Sequence, residues 1–239
     1  MISFPPPPQW TLAGAKDLAH LFVTPSRWET AHLDADRLLD PTIAFYVLPC
    51  YVAFVLLLKA YMHPKRPKFN VKPIMVVHNL FLCLLSLAMC LGALYAVATG
   101  GHSMLAQYCD TKGSVFTGQL WWWSFVFYAS KYYELLDTPL LILAQRPLTF
   151  LHVWHHSSIA VLCLAFMRAQ YNFFWSGVAI NAGIHTFMYY YYFMAALGRT
   201  PKWKRAMTTG QIVQFVWGIS SFWGFFAACP AEAVTPPAR

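Results

Sequence analysis

The chain has 239 residues, 58% hydrophobic and 18% aromatic, and only 11% are Asp, Glu, Lys or Arg, against roughly a quarter in a soluble domain. So short a chain cannot shelter that much apolar surface inside one core, which excludes a water-soluble globule and points to lipid as the solvent. The net charge of +8 falls in short loops between apolar runs, which argues for membrane orientation and against nucleic acid as a partner.

Residues 1–41 form an N-terminal segment. It opens on Pro5 to Pro8 and lacks a basic region followed by an apolar one, so it is not a cleavable signal peptide. Beyond it, six stretches reach the ~20 mostly apolar residues that a spanning helix needs: 42–61, 74–98, 118–143, 148–167, 172–197 and 208–228. Turn signals separate them: Pro64 to Pro67, Gly100-Gly101, Arg146-Pro147 and Gly198 to Pro201. The fold class predicted is an all-α polytopic membrane helical bundle of six spans. Residues 42–228 make one transmembrane domain, and 229–239 are a short tail. No internal repeat, linker or Asn-x-Ser/Thr acceptor interrupts it.

Charge sets the direction. Lys65, Arg66, Lys68 and Lys72 follow span one, Arg146 follows span three, and Arg199, Lys202, Lys204 and Arg205 follow span five. The alternate loops carry little, Lys112 with Asp110, and Arg168. The positive-inside bias places loops one, three and five in the cytosol and the N-terminal segment on the other side. The six cysteines are scattered with no CxxC pair, and most sit in apolar runs, where Cys reads as a small hydrophobe.

Polar groups inside the spans are expensive in lipid and mark function. Lys131, Glu134 and Asp137 are the charged residues well inside a span, and a spacing of three puts them on one face about 120° wide. A structural ion pair is the competing reading for Lys131 and Glu134. His152, His155 and His156 fall within about 100° of one another at the start of span four. In span five, Asn181, His185, Met188 and Tyr192 share a face, while Tyr190 and Tyr191 read as an interfacial belt. Gln211 and Gln214 in span six need partners. Once the spans are oriented, all four groups occupy a similar layer, which argues for one shared site.

These residues form four motifs: KxxExxDT (Lys131, Glu134, Asp137, Thr138), HxxHH (His152, His155, His156), NxxxHxxMYxYY (Asn181, His185, Met188, Tyr189, Tyr191, Tyr192) and TxxQxxQF (Thr208, Gln211, Gln214, Phe215). In this order they closely resemble the ELO family of fatty-acid elongases over roughly residues 72–228, and Asn79 and Ser86 fit a weaker family pattern. The resemblance implies a condensing enzyme of the endoplasmic reticulum membrane. It would join a long-chain acyl-CoA to malonyl-CoA, giving a 3-oxoacyl-CoA, CO2 and CoA. It also implies an inverted helical barrel around an acyl tunnel, open to the cytosol for CoA. Reduction and dehydration would belong to separate enzymes, so no cofactor and no metal is expected in this chain; a homodimer stays open. Departures are a family pattern of seven spans and a lysine-rich C-terminal signal against six spans and none here. Ala182 stands where Ser is frequent, and Trp154 where Phe or Tyr is usual.

A neutral imidazole can attack a thioester, and an apolar site favours the uncharged form. By resemblance His155 is the leading nucleophile, with His185 close to the reacting carbons and His152 and His156 orienting it or handling protons. Asn181, Gln211 and Lys131 are the candidates for carbonyl and enolate stabilisation. Glu134 and Asp137 would hold the histidines or Lys131, and Gln214 supports. Lys202, Lys204 and Arg205 would meet the CoA phosphates, and Tyr189 and Tyr192 the substrate. A thiol route through Cys163 is disfavoured, because seven residues beyond His156 is ~10.5 Å along a helix. Two further classes compete. A di-iron desaturase or hydroxylase needs about eight clustered histidines, but here His20, His32 and His63 lie in or near loops and His78 and His102 stand alone. A small transporter would show an inverted repeat or paired broken spans, and none is seen.

Overall fold

The computed structural model describes residues 38–62, 66–110 and 115–229. The expectations for the N-terminal segment before residue 38, for Lys65, Lys112 and the tail from 230 onward, and for His20, His32 and His63, lie outside the described residues. Within them the chain is helical and no strand occurs. The helices are α1 Pro41–Tyr61, α2 Lys72–Thr99, α3 Met104–Tyr108, α4 Gly118–Glu134, α5 Asp137–Leu143, α6 Phe150–Arg168, α7 Phe174–Ala196 and α8 Lys204–Ala228. Helices suit lipid because each segment satisfies its own backbone N–H and C=O groups. Their starts follow ordinary capping chemistry. The Asp40 carboxylate accepts from the Thr42 amide at 2.9 Å, with Pro41 opening α1. The Thr149 hydroxyl oxygen accepts from the His152 amide at 3.2 Å, which seats the histidine motif in the first turn of α6.

Five of the six expected spans are single helices at nearly the expected bounds. The sixth, 118–143, is two. Leu135 and Leu136 donate to the carbonyls of Tyr132 and Tyr133, at 3.3 and 3.1 Å, so the chain tightens to i→i−3 bonding there. Pro139 lacks the N–H that an unbroken helix would aim at the Leu135 carbonyl. The single polar face expected for Lys131, Glu134 and Asp137 is therefore divided by a break. By length and apolarity alone, three of the described helices could cross a membrane: α1, α2 and α6. The break shortens α4, and α7 and α8 carry Tyr, Trp, Asn and Gln that lower their apolarity.

Neighbouring helices pack in the order α8–α7–α2–α4–α6–α1, with further contacts of α4 on α7 and of α1 on α5. Aromatic contacts between α6 and α8, His155 on Phe215 and Phe166 on Phe222 at ring separations of 6.4 and 6.0 Å, curl this row back on itself. Small residues permit the closest approaches. A Cβ on Gly92 of α2 would collide with the Trp123 indole of α4, so only glycine fits there.

The two ends of the bundle differ. At one end Phe69 donates to the Leu143 carbonyl at 3.1 Å and the Gln145 side-chain amide to the Arg66 carbonyl at 2.7 Å. Loops one and three are thereby tied together beside Lys68, Lys72 and Arg146. At the other end Cys109 and Cys229 form a disulfide with a Cα–Cα distance of 5.4 Å, and the Tyr108 hydroxyl donates to the Ser221 carbonyl at 2.7 Å. For Cys109 and Cys229 the disulfide replaces the reading of the scattered cysteines, most of them in apolar runs, as small hydrophobes; that reading fits Cys83 and Cys163, which are buried. The disulfide end is the one that the loop charges are expected to turn away from the cytosol, and disulfides persist in oxidising compartments. A cavity of about 190 Å³ lined by Ala96, His102, Gln107 and Leu120 among others lies at this end, and none of His152, His155, His156 or His185 lines it.

Candidate active site

The site is assembled from α2, α4, α5, α6 and α7. Its deepest part is the Lys131–Glu134 pair of α4, each side chain 1% exposed, with Nζ 2.8 Å from Oε1. A bare charge at this depth would be prohibitive, so every donor of the ammonium must be used. Lys131 Nζ donates to Glu134, approaches Asn181 Oδ1 of α7 at 3.4 Å, and lies 4.1 Å from the centre of the Phe127 ring. The Ser130 hydroxyl donates to the same Glu134 oxygen at 3.0 Å. The second carboxylate oxygen is buried without a hydrogen bond, 3.8 Å from His185 Nδ1 of α7. Lys131, Glu134, Asn181 and His185, expected together, are together.

The break before α5 sends Asp137 and Thr138 elsewhere. Asp137 Oδ1 lies 2.6 Å from Nε2 of His78 on α2. Oδ2 accepts from the Tyr189 hydroxyl of α7 at 2.8 Å and faces His156 Nε2 at 3.9 Å. His78, read from sequence as an isolated imidazole, is thus part of the site. The available signal was a lone histidine within a predicted span, where any ionisable side chain calls for a partner. Tyr189, expected to meet substrate, is 1% exposed and bonded to Asp137. Tyr192 is 45% exposed, its ring 6.3 Å from that of Tyr189.

Thr138, fully buried, shares a hydrogen bond of 3.0 Å with His152 Nε2 and a second with the Tyr51 hydroxyl of α1. Tyr51 was missed altogether, because nothing near it in sequence marks it as other than a core aromatic. The three imidazoles form a cluster, with the His152 and His156 rings 4.4 Å apart and those of His155 and His156 5.7 Å apart. His152 is anchored by Thr138, and His156 is buried beside Asp137. His155 is half-buried and its side chain makes no hydrogen bond among the described residues. The His156 side chain makes no hydrogen bond either, and its Nδ1 is buried without a partner; of the two rings His155 is the more exposed and so the more available to a substrate.

The glutamines are less well gathered. Gln211 meets the Met188 sulfur at 3.7 Å, and Gln214, half-buried, makes no hydrogen bond among the described residues. Lys202, just before α8, and Lys204 and Arg205, in its first turn, are exposed. Cys163 is buried farther along α6. Among the described residues no three His, Cys, Asp or Glu side chains are grouped as a metal site.

Comparison with known proteins bears on this constellation. Residues 38–232 match the family model described as ELO, the GNS1/SUR4 family. Fatty acid elongase sre1 of Dictyostelium discoideum is 32% identical over 205 residues, 82% of this chain and 74% of that protein. A second Dictyostelium discoideum relative is 38% identical over 182 residues, 74% of this chain and 61% of its own length. Very long chain fatty acid elongase 2 of Mus musculus is 32% identical over 190 residues, 75% of this chain and 63% of that protein. The chain therefore spans about two thirds of the length of these relatives.

Proposed function

The chain belongs to the ELO family of fatty-acid elongases, and we propose that it condenses a long-chain acyl-CoA with malonyl-CoA to a 3-oxoacyl-CoA, CO2 and CoA. The observation that supports this most is His155. Its ring is free of hydrogen bonds among the described residues, while its neighbours His152 and His156 are engaged by Thr138 and faced by Asp137.

In the first half-reaction a ring nitrogen of His155 attacks the acyl thioester. The C–N bond forms, the C–S bond breaks, and CoA leaves as a thiolate that takes a proton. In the second, malonyl-CoA loses CO2, and the electron pair released becomes an enolate. Its carbon attacks the acyl-imidazole, the C–C bond forms, and the C–N bond breaks to restore His155. The enolate oxygen needs donors already in place. Lys131 Nζ and the Asn181 amide, side by side with His185 near Glu134, are the candidates we assign to that role, and Gln211 is the next. The acyl-imidazole is energy-rich, and an apolar tunnel within the curled helix row would protect it from water. Lys202, Lys204 and Arg205 would hold the CoA phosphates, and the exposed Tyr192 is the candidate for contact with the entering substrate. We place the protein in the endoplasmic reticulum membrane, with separate reductase and dehydratase enzymes consuming its product.

The test supplies purified protein with labelled malonyl-CoA and a panel of acyl-CoAs, and follows 3-oxoacyl product and acylated peptide by mass spectrometry. Labelled product and an acyl group on the peptide carrying His155 are expected. No product from any acyl-CoA would sink the proposal. Activity that survives His155→Ala but is lost in Cys163→Ala would move the acyl group to the thiol.

A further inference from the structure

We propose that His78, which lies outside the motifs that carry the proposed chemistry, is a positioning residue. It clamps Asp137 so that the carboxylate faces His156. The inference rests on the condensation reading for its kinetic form.

The geometry is built from both sides of the His78 ring, which is 5% exposed. Nε2 lies 2.6 Å from Asp137 Oδ1, and Nδ1 lies 3.3 Å from the Tyr133 hydroxyl, whose ring stacks on it at 5.2 Å and 27°. A neutral ring satisfies both contacts: Tyr133 O–H donates to Nδ1, and Nε2–H donates to the carboxylate. The other oxygen of Asp137 accepts from Tyr189 and stands 3.9 Å from His156 Nε2.

Asp137 opens the short helix after the break in the 118–143 segment. Among the described residues it has no Lys or Arg partner; its ion-pair neighbours are His78 and His156. Donors from α2 and α7 therefore hold the carboxylate between them and leave one oxygen aimed at α6. A fixed carboxylate 3.9 Å from an imidazole steadies the charge that ring gains on accepting a proton. His156 touches both other histidines of its motif, so this control reaches the reacting centre through one intervening ring.

Full-length protein in lipid vesicles tests this with three substitutions. His78→Gln places an amide N–H about where Nε2 now donates, His78→Asn is too short to reach Asp137, and His78→Leu has no donor. The Leu and Asn variants are expected to lose roughly 10- to 100-fold in kcat, with KM for acyl-CoA within about threefold. The Gln variant should stay within about threefold of the unchanged protein. Because Tyr189 acts on the same carboxylate, Tyr189→Phe combined with His78→Leu should lose less than the product of the two single losses. Equal activity in the Gln and Asn variants, or losses that multiply, would overturn the inference, and the Gln–Asn comparison stands even if the Leu variant does not fold. A protein that makes no 3-oxoacyl product at all would instead overturn the condensation reading. The clamp is then read from carbethoxylation of His156 by diethyl pyrocarbonate, expected to slow severalfold in His78→Asn and not in His78→Gln. An unchanged rate would refute it.

Discussion

Replacing Lys131 with Met separates a structural ion pair from a catalytic cation. In the intact protein Lys131 and Glu134 are both 1% exposed and 2.8 Å apart. Removing the ammonium leaves the Glu134 carboxylate buried with one remaining hydrogen bond, from Ser130. Removing one partner of a buried pair typically costs 3–5 kcal/mol, whereas replacing both by neutral groups of similar volume is often nearly neutral. Lys131→Met should therefore lower stability by about 3–5 kcal/mol, or about 6–20 °C in Tm at 2–4 °C per kcal/mol for a chain of this size. Lys131→Met combined with Glu134→Gln should recover most of that loss. Activity should behave differently: if the ammonium stabilises the enolate, the double variant stays roughly 100-fold or more below the unchanged protein, as when one such donor is removed elsewhere. Thermal unfolding in detergent and labelled malonyl-CoA turnover give the two readouts. A single variant within about 1 kcal/mol of the unchanged protein would refute the burial argument. A double variant that regains activity as well as stability would leave the pair a packing device.

Three further predictions follow from the same contacts. Tyr51→Phe removes a hydroxyl that reaches His152 through Thr138, and should cost about 1 kcal/mol of stability together with a severalfold fall in kcat. An unchanged turnover would confine Tyr51 to packing. Cys109→Ala with Cys229→Ala opens a loop of 120 residues and should cost about 2–5 kcal/mol. Reductant should lower Tm of the unchanged protein and leave that of the variant unmoved. Neutralising Lys202, Lys204 and Arg205 together should raise KM for both CoA substrates about tenfold or more, with kcat nearly unchanged, and should flatten the dependence of KM on salt. A raised KM for neither substrate would place the phosphates elsewhere, with Lys68, Lys72 and Arg146 the nearest alternative.

Much of this protein was legible from local chemistry alone. Lipid requires every spanning segment to satisfy its own backbone, so apolar length and turn residues were enough to locate the helices within a few residues. The same medium makes polar side chains conspicuous. That is why Lys131, Glu134, Asn181 and His185 could be named before they were seen in one cluster. Loop charges give an expected direction, and a disulfide lies at the end they would turn from the cytosol. What local chemistry left open was the identity of partners. Asp137 was placed on the face of Lys131 by periodicity, yet the i→i−3 turn before Pro139 turns it to His78, 59 residues away in sequence, and to Tyr189, 52 away. Tyr51 meets Thr138 across 87 residues, and Cys109 meets Cys229 across 120. A helix face can be predicted from spacing, because the period is a property of the backbone. Which side chain lies opposite that face depends on how whole helices pack, and only the tertiary structure decides that.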